Sequence, residues 1–136
     1  MPKPIVHPAP AADNETRPYW EGAARGELVL QRCTRCGSVQ HRPRALCIAC
    51  LAPGVEHFVA TGRGTVYSFT VTHQNQAPGF REAVPYVLAY VDLAEGPRLL
   101  TNVVGCAPAE VRVGLPVRVE FAKTDGEFPV PVFCPA

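Results

Sequence analysis

Serine is nearly absent from this sequence, with only Ser38 and Ser68. The scarcity removes most routes to a serine nucleophile, and the chain has no Gly-x-Ser-x-Gly elbow, glycine-rich phosphate loop or His-Glu-x-x-His pattern. The four histidines (His7, His41, His57 and His73) are scattered; only His73, beside Gln74-Asn75-Gln76, offers a dyad assembled in space. No catalytic residue is assigned. Long apolar runs are missing too: nothing approaches the roughly 18 residues of a membrane helix, and Met1-Pro2-Lys3-Pro4 lacks the apolar stretch of a secretory leader. The expected compartment is the cytoplasm. Acidic residues are thin in one region, where residues 25–50 carry Arg25, Arg32, Arg35, Arg42 and Arg44 against Glu27 alone.

What is present favours strands. Fifteen prolines and eleven glycines in 136 residues suit short strands and turns over long helices. Residues 1–13, rich in proline and alanine without periodicity, read as a disordered tail. Residues 14–26 read as a helical segment, with Thr16 as cap, Pro18 in the first turn and Gly26 past the end. Glu27–Arg32 and Ser38–Arg42 read as an antiparallel pair within a module at 27–54. Over 55–136, five strands are expected: Thr65–Thr72 with Tyr67, Phe69 and Val71 on one face, Tyr86–Leu93 covered on both faces, Arg98–Val104, a strand through Val117, Val119 and Phe121, and one through Phe128, Val130 and Val132. A one-turn helix is expected at Pro108-Ala109-Glu110. Five short strands in such a length suit an OB-fold barrel; a small sandwich is the alternative.

The sharpest motif is a pair of knuckles, Cys33-Thr34-Arg35-Cys36 and Cys47-Ile48-Ala49-Cys50, separated by ten residues. A hairpin of that length brings the second pair against the first, so four thiolates can surround one ion at about 2.3 Å. Soft sulfur ligands select zinc or iron, and a filled tetrahedral shell leaves no position for substrate, so the predicted site is structural. Disulfides are disfavoured without a leader. Cys106 and Cys134 stand alone among apolar residues and prolines and read as inert thiols.

Charge separates the remaining function classes. Residues 51–136 hold six basic and eight acidic groups, a poor surface for a polyanion. A module binding single-stranded nucleic acid through Tyr67, Phe69 and Tyr90 is the alternative to a protein-binding role. A free-standing thioester enzyme and an iron rubredoxin complete the field. Tyr19 and Trp20, on the short helix, read either as packed on their own domain or as partner contacts.

The order Tyr19-Trp20-Glu21-Gly22, Leu28 to Cys33, Pro43-Arg44, the second knuckle, Gly62 to Phe69, Pro85 to Leu93 and Glu95-Gly96-Pro97-Arg98 resembles the zinc-ribbon/OB-fold family, also called domain of unknown function 35. The second knuckle departs from the family's usual pattern by Ile48 where proline is common. The resemblance implies an N-terminal helix, a rubredoxin-like ribbon with one structural Zn2+ on Cys33, Cys36, Cys47 and Cys50, and a C-terminal OB-fold. It also implies a non-catalytic accessory role beside a thiolase-like enzyme acting on acyl-CoA: a thiolase, an acyltransferase or a steroid side-chain aldolase. In that setting Tyr19, Trp20 and Phe80 are candidate partner contacts. Arg63, Arg81 and Arg98 are candidate contacts to CoA, because guanidinium groups grip phosphate bidentately.

Overall fold

A computed structural model of the chain describes residues 2–136; Met1, the first residue of the expected tail, lies outside the described residues. Helix α1 (Arg17–Ala24) starts where the sequence predicts it, with Thr16 at the N-cap position, but the Thr16 side chain makes no capping hydrogen bond. The Asp13 carboxylate instead accepts the backbone N–H groups of Glu15 (3.0 Å) and Thr16 (2.8 Å) and the Thr16 hydroxyl (2.9 Å). Those bonds hold the Asp13 carboxyl below its ordinary range. Gly22 lets the helix lie on the following strand, because a Cβ there would fall on the Val29 side chain.

Strand β1 (Val29–Cys33) pairs antiparallel with β2 (Val39–Gln40) on one side and with β3 (Val55–Val59) on the other. The sequence reading placed residues 55–59 in the barrel domain, but they complete the ribbon sheet. Their alternation marks a strand without saying which sheet receives it, and the register Leu30↔Phe58 and Arg32↔Glu56 does. Arg32 then stacks on the Phe58 ring, 4.1 Å from its centroid.

Five strands close the barrel in the order β4 (Arg63–Thr72), β5 (Tyr86–Leu93), β6 (Arg98–Val103), β8 (Val130–Pro135), β7 (Pro116–Ala122). All pairings are antiparallel except β6 with β8. The one-turn helix at Pro108–Glu110 is present as a 3-10 turn between β6 and β7, and the Glu110 carboxylate accepts the Ala107 N–H at 3.2 Å. The architecture is therefore mainly β: one short helix, a cysteine ribbon and an OB-type barrel.

Two facial assignments change. A register shift between Val66 and Ser68 makes Tyr67 a bulge residue, which reverses the alternation; Val66 points inward, Tyr67 is exposed, and Phe69 and Val71 turn back to the core. Strand β5 is covered on one face, not two. Val87, Ala89, Val91 and Leu93 are buried while Leu88 and Tyr90 stay exposed, and Leu100 of β6 sits opposite Tyr90. Because β5 pairs antiparallel with both neighbours, one of its faces is free to meet solvent.

The core is single. Tyr19, Leu28 and Leu30 from the helix and ribbon pack in one cluster with Val91, Val117 and Phe133 of the barrel. The expected disordered tail is also anchored. The Lys3 N–H donates to Glu82, the Val6 N–H donates to Gly79 at 3.0 Å, His7 bridges to Thr124, and the Ala9 N–H reaches the Asp125 carboxylate at 2.8 Å. Composition misled because backbone hydrogen bonds and close approach hold the tail, with little apolar burial. Gly79 has φ +86°, and a Cβ on it would strike the Val6 carbonyl.

Gly79→Ala should therefore detach the tail, with a loss of about 1 kcal/mol or more from the left-handed backbone alone. Amide exchange at Val6 should accelerate in the variant while exchange at Val91 keeps its order.

Candidate metal centre and aromatic cleft

The two knuckles fold alike. The Cys33 N–H donates to Ser38 and the Gly37 N–H to Cys33; the Cys47 N–H donates to Ala52 and the Leu51 N–H to Cys47. The pairs meet crosswise, with Cys33 Sγ 3.6 Å from Cys50 Sγ and Cys36 Sγ 3.6 Å from Cys47 Sγ. All four sulfurs lie within 4.8 Å of one another. A regular tetrahedron with metal–sulfur bonds near 2.3 Å has edges of about 3.8 Å, so these thiols fit one metal ion.

The backbone prepares two of them as anions. The N–H of Cys36, 3.4 Å away, followed by that of Arg35, holds the Cys33 thiol down at about 6. The N–H of Cys50 lowers Cys47 in the same way. At Cys36 the Ser38 N–H favours the thiolate, but desolvation and the three neighbouring sulfurs push it up to about 11. Four thiolates side by side need a cation. No other group of three or more His, Cys, Asp or Glu side chains that could hold a metal occurs among the described residues.

Sequence reasoning missed what aims the second knuckle. Gln31 and Gln40 are buried amides on β1 and β2. Gln31 donates to the Arg44 carbonyl (2.9 Å) and accepts from the Arg44 N–H (2.9 Å) and from Gln40 (2.8 Å). Gln40 donates to the Leu46 carbonyl (3.1 Å) and accepts the Ile48 N–H (3.0 Å). The signal was two glutamines at inward strand positions, where an apolar residue is the norm.

Next to the ribbon, a cleft of about 350 Å³ opens between helix, tail and barrel; its walls include Trp20, His41, Arg42, Phe80 and Leu100. All three expected partner contacts, Tyr19, Trp20 and Phe80, line it, Trp20 and Phe80 as half-buried side chains. Tyr19 is different: only 5% exposed, it is core rather than a free contact. Its ring packs edge-on to Trp20 at 4.8 Å and lies 5.2 Å from His41. Burial, and secondarily Arg42, lowers His41 to about 4, and its Nδ1 is buried without a hydrogen-bond partner.

The three arginines expected at CoA do not converge. Arg63 opens β4 and Arg98 opens β6 at one end of the barrel, while Arg81 sits on the loop joining β4 to β5 at the other. Arg98 is already engaged: its Nε is 2.6 Å from the Asp92 carboxylate and its guanidinium lies 3.4 Å over the Tyr67 ring. Arg81 donates to the Gln76 carbonyl at 3.1 Å. The aromatic platform for nucleic acid is likewise reduced, since Phe69 packs against the core and Arg98 covers Tyr67. His73 is exposed and has no hydrogen-bond partner among the described residues. Cys134 is buried and donates to the Glu120 carboxylate at 3.3 Å; burial raises both it and Cys106 above the ordinary thiol value.

Two outcomes follow. Cys47→Ser should reduce metal content from one ion per chain to near zero by elemental analysis, with loss of most of a binding energy on the order of 10 kcal/mol. His41 is neutral in the folded chain and titrates near 6.5 when unfolded, so its contribution is complete above about pH 6.5 and is lost as pH falls toward 4, by roughly 3 kcal/mol at most. In urea unfolding, the stability gap between the wild type and His41→Gln should narrow across that window; parallel pH profiles would contradict the assignment.

Comparison with known proteins agrees with this geometry. The family model described as the ChsH2 rubredoxin-like zinc ribbon domain matches residues 20–56, and that of the ChsH2 C-terminal OB-fold domain matches residues 59–122. A probable enoyl-CoA hydratase alpha subunit of Thermomonospora curvata is 39% identical over 131 residues. The alignment covers 96% of this chain but only 40% of that relative, so the chain spans less than half of its length. A DUF35 domain-containing scaffold protein of Methanocaldococcus jannaschii is 36% identical over 104 residues, which are 74% of this chain and 72% of the relative. A chain of the solved Ltp2-ChsH2(DUF35) aldolase superposes with a TM-score of 0.84 at 38% identity, covering 93% of this chain and 98% of that one. Both modules are thus matched in order along the chain, and it belongs to the DUF35 zinc-ribbon/OB-fold family.

Proposed function

We propose that this chain is a non-catalytic accessory subunit that binds and stabilises a thiolase-superfamily enzyme acting on acyl-CoA, and that its four cysteines hold one structural zinc ion. The observation that carries the reading is the close match, over nearly the full length of both chains, to a component of a solved aldolase assembly. The chain's own surface supports it. Leu88, Tyr90 and Leu100 are 38%, 45% and 53% exposed on the outer face of β5 and β6, and Leu100 continues into the cleft with Trp20 and Phe80. An apolar strip of this kind, with aromatic walls, is the composition of a protein contact.

The chemistry points the same way. A tetrahedral thiolate site has no open coordination position, so the ion's work is to fold the ribbon. None of the three arginines offered for CoA lines the cleft; Arg81 lies on the loop that also carries Phe80, and the guanidinium on the cleft wall is that of Arg42. The setting is a cytoplasmic acyl-CoA or steroid side-chain pathway, and no helix among the described residues is long and apolar enough to cross a membrane.

The test is affinity purification of the tagged chain from its native host, followed by identification of stoichiometric companions. A thiolase-like enzyme should elute with the wild type, and Trp20→Ala with Phe80→Ala should weaken the complex at least tenfold, the cost of about 1.4 kcal/mol. Recovery of oligonucleotide instead would overturn the reading.

A further inference from the structure

The two knuckles provide an internal comparison. Their backbones make matching hydrogen bonds, so Thr34 corresponds to Ile48, Arg35 to Ala49, Gly37 to Leu51 and Ser38 to Ala52. The first knuckle presents Thr34, Arg35 and Gly37 to solvent, as a surface turn should. The second presents Ile48 at 58% and Leu51 at 72% exposure, with Leu46 beside them at 47%. The same scaffold therefore carries a polar tip and an apolar tip.

Leu51 is the more telling of these residues. It is the sole non-glycine residue with positive φ among the described residues, at +64°, and its counterpart Gly37 has φ +76°. Glycine takes this conformation freely; a leucine side chain adds roughly 1–2 kcal/mol. A residue that strains the backbone and leaves its side chain in water gains nothing for the isolated fold.

The surrounding charge is basic. No Asp or Glu occurs between Glu27 and Glu56, and the one carboxylate that reaches this stretch, Glu15, is occupied by the Ala45 N–H at 2.9 Å. Arg44 stands two residues before Leu46, and Arg35 lies on the facing knuckle, across the 3.6 Å approach of Cys36 to Cys47. Neither arginine makes an ion pair among the described residues. Arg42, also without an ion pair, extends this basic border into the aromatic cleft.

We infer that the second knuckle is a docking knob: Leu46, Ile48 and Leu51 insert into an apolar recess on the thiolase-like partner, and carboxylates rimming that recess pair with Arg35 and Arg44. The inference rests on the accessory-subunit reading and adds the ribbon tip to its contact surface. Burying three side chains of this size supplies the affinity; the arginine–carboxylate rim sets orientation and association rate.

The double variant Ile48→Thr with Leu51→Gly copies the first knuckle onto the second. It leaves all four cysteines in place and relieves the positive-φ strain. It should retain one metal ion per chain and unfold at the wild-type denaturant concentration or higher, while its affinity for the purified partner falls at least tenfold. Arg35→Gln with Arg44→Gln should slow association and flatten its dependence on salt. Unchanged affinity in the Ile48/Leu51 variant, with the partner still bound by the wild type, would overturn the knob and leave the accessory role intact. Failure of the wild type to bring down any thiolase-like enzyme would overturn both. Wild-type self-association that the variant abolishes would assign the knob to a second copy of this chain and refute the inference.

Discussion

Four sulfur atoms within 4.8 Å of one another repel as thiolates, and the N-terminal third of the molecule is arranged around that constraint. Backbone N–H groups turned toward Cys33 and Cys47 favour the ionised form before any cation arrives. Buried Gln31 and Gln40 fix the backbone between the knuckles, so that closure of the metal shell does not depend on a flexible hairpin finding its register. Two amides saturated with hydrogen bonds can be buried at little cost; either one truncated would strand its partners.

The consequence reaches beyond the ribbon. Leu28, just before β1, and Leu30, within it, pack in the same cluster as Phe133 and Val91. The ribbon sheet, completed by β3, thus feeds directly into the barrel core, and the helix is clamped on top through Tyr19. That arrangement leaves the outer face of β5 and β6, the aromatic cleft and the second knuckle as apolar surfaces that the chain does not cover itself. Uncovered apolar surface of this extent has the composition of a protein contact, which is what the proposed accessory role requires.

Much of this was legible in the residues. Cysteine spacing named the four side chains that converge because two short turns and a hairpin leave little geometric freedom, and apolar patterning located all five barrel strands, by alternation in some and by a near-continuous apolar run in Tyr86–Leu93. What escaped depended on contacts distant in sequence. A bulge at Tyr67 inverted one face, which no local pattern announces. Val55–Val59 joined the ribbon because β1 offered a free edge. The N-terminal tail looked disordered by composition, yet it is held through Gly79 and Asp125. Tyr19 and Trp20, adjacent on one helix, divide between core and cleft because the helix rests on β1 at Gly22. The arginines proposed together for CoA fall at opposite ends of the barrel, since strand order and not sequence proximity decides their neighbours.

Leu28 and Leu30 tie metal closure and the barrel into one cooperative unit. Native-state hydrogen exchange, with and without a strong chelator, tests it most directly. Metal removal should lower protection at Leu30, Val91 and Phe133 together. Barrel amides that keep full protection while only residues 29–59 exchange freely would contradict it and make the ribbon an independent appendage.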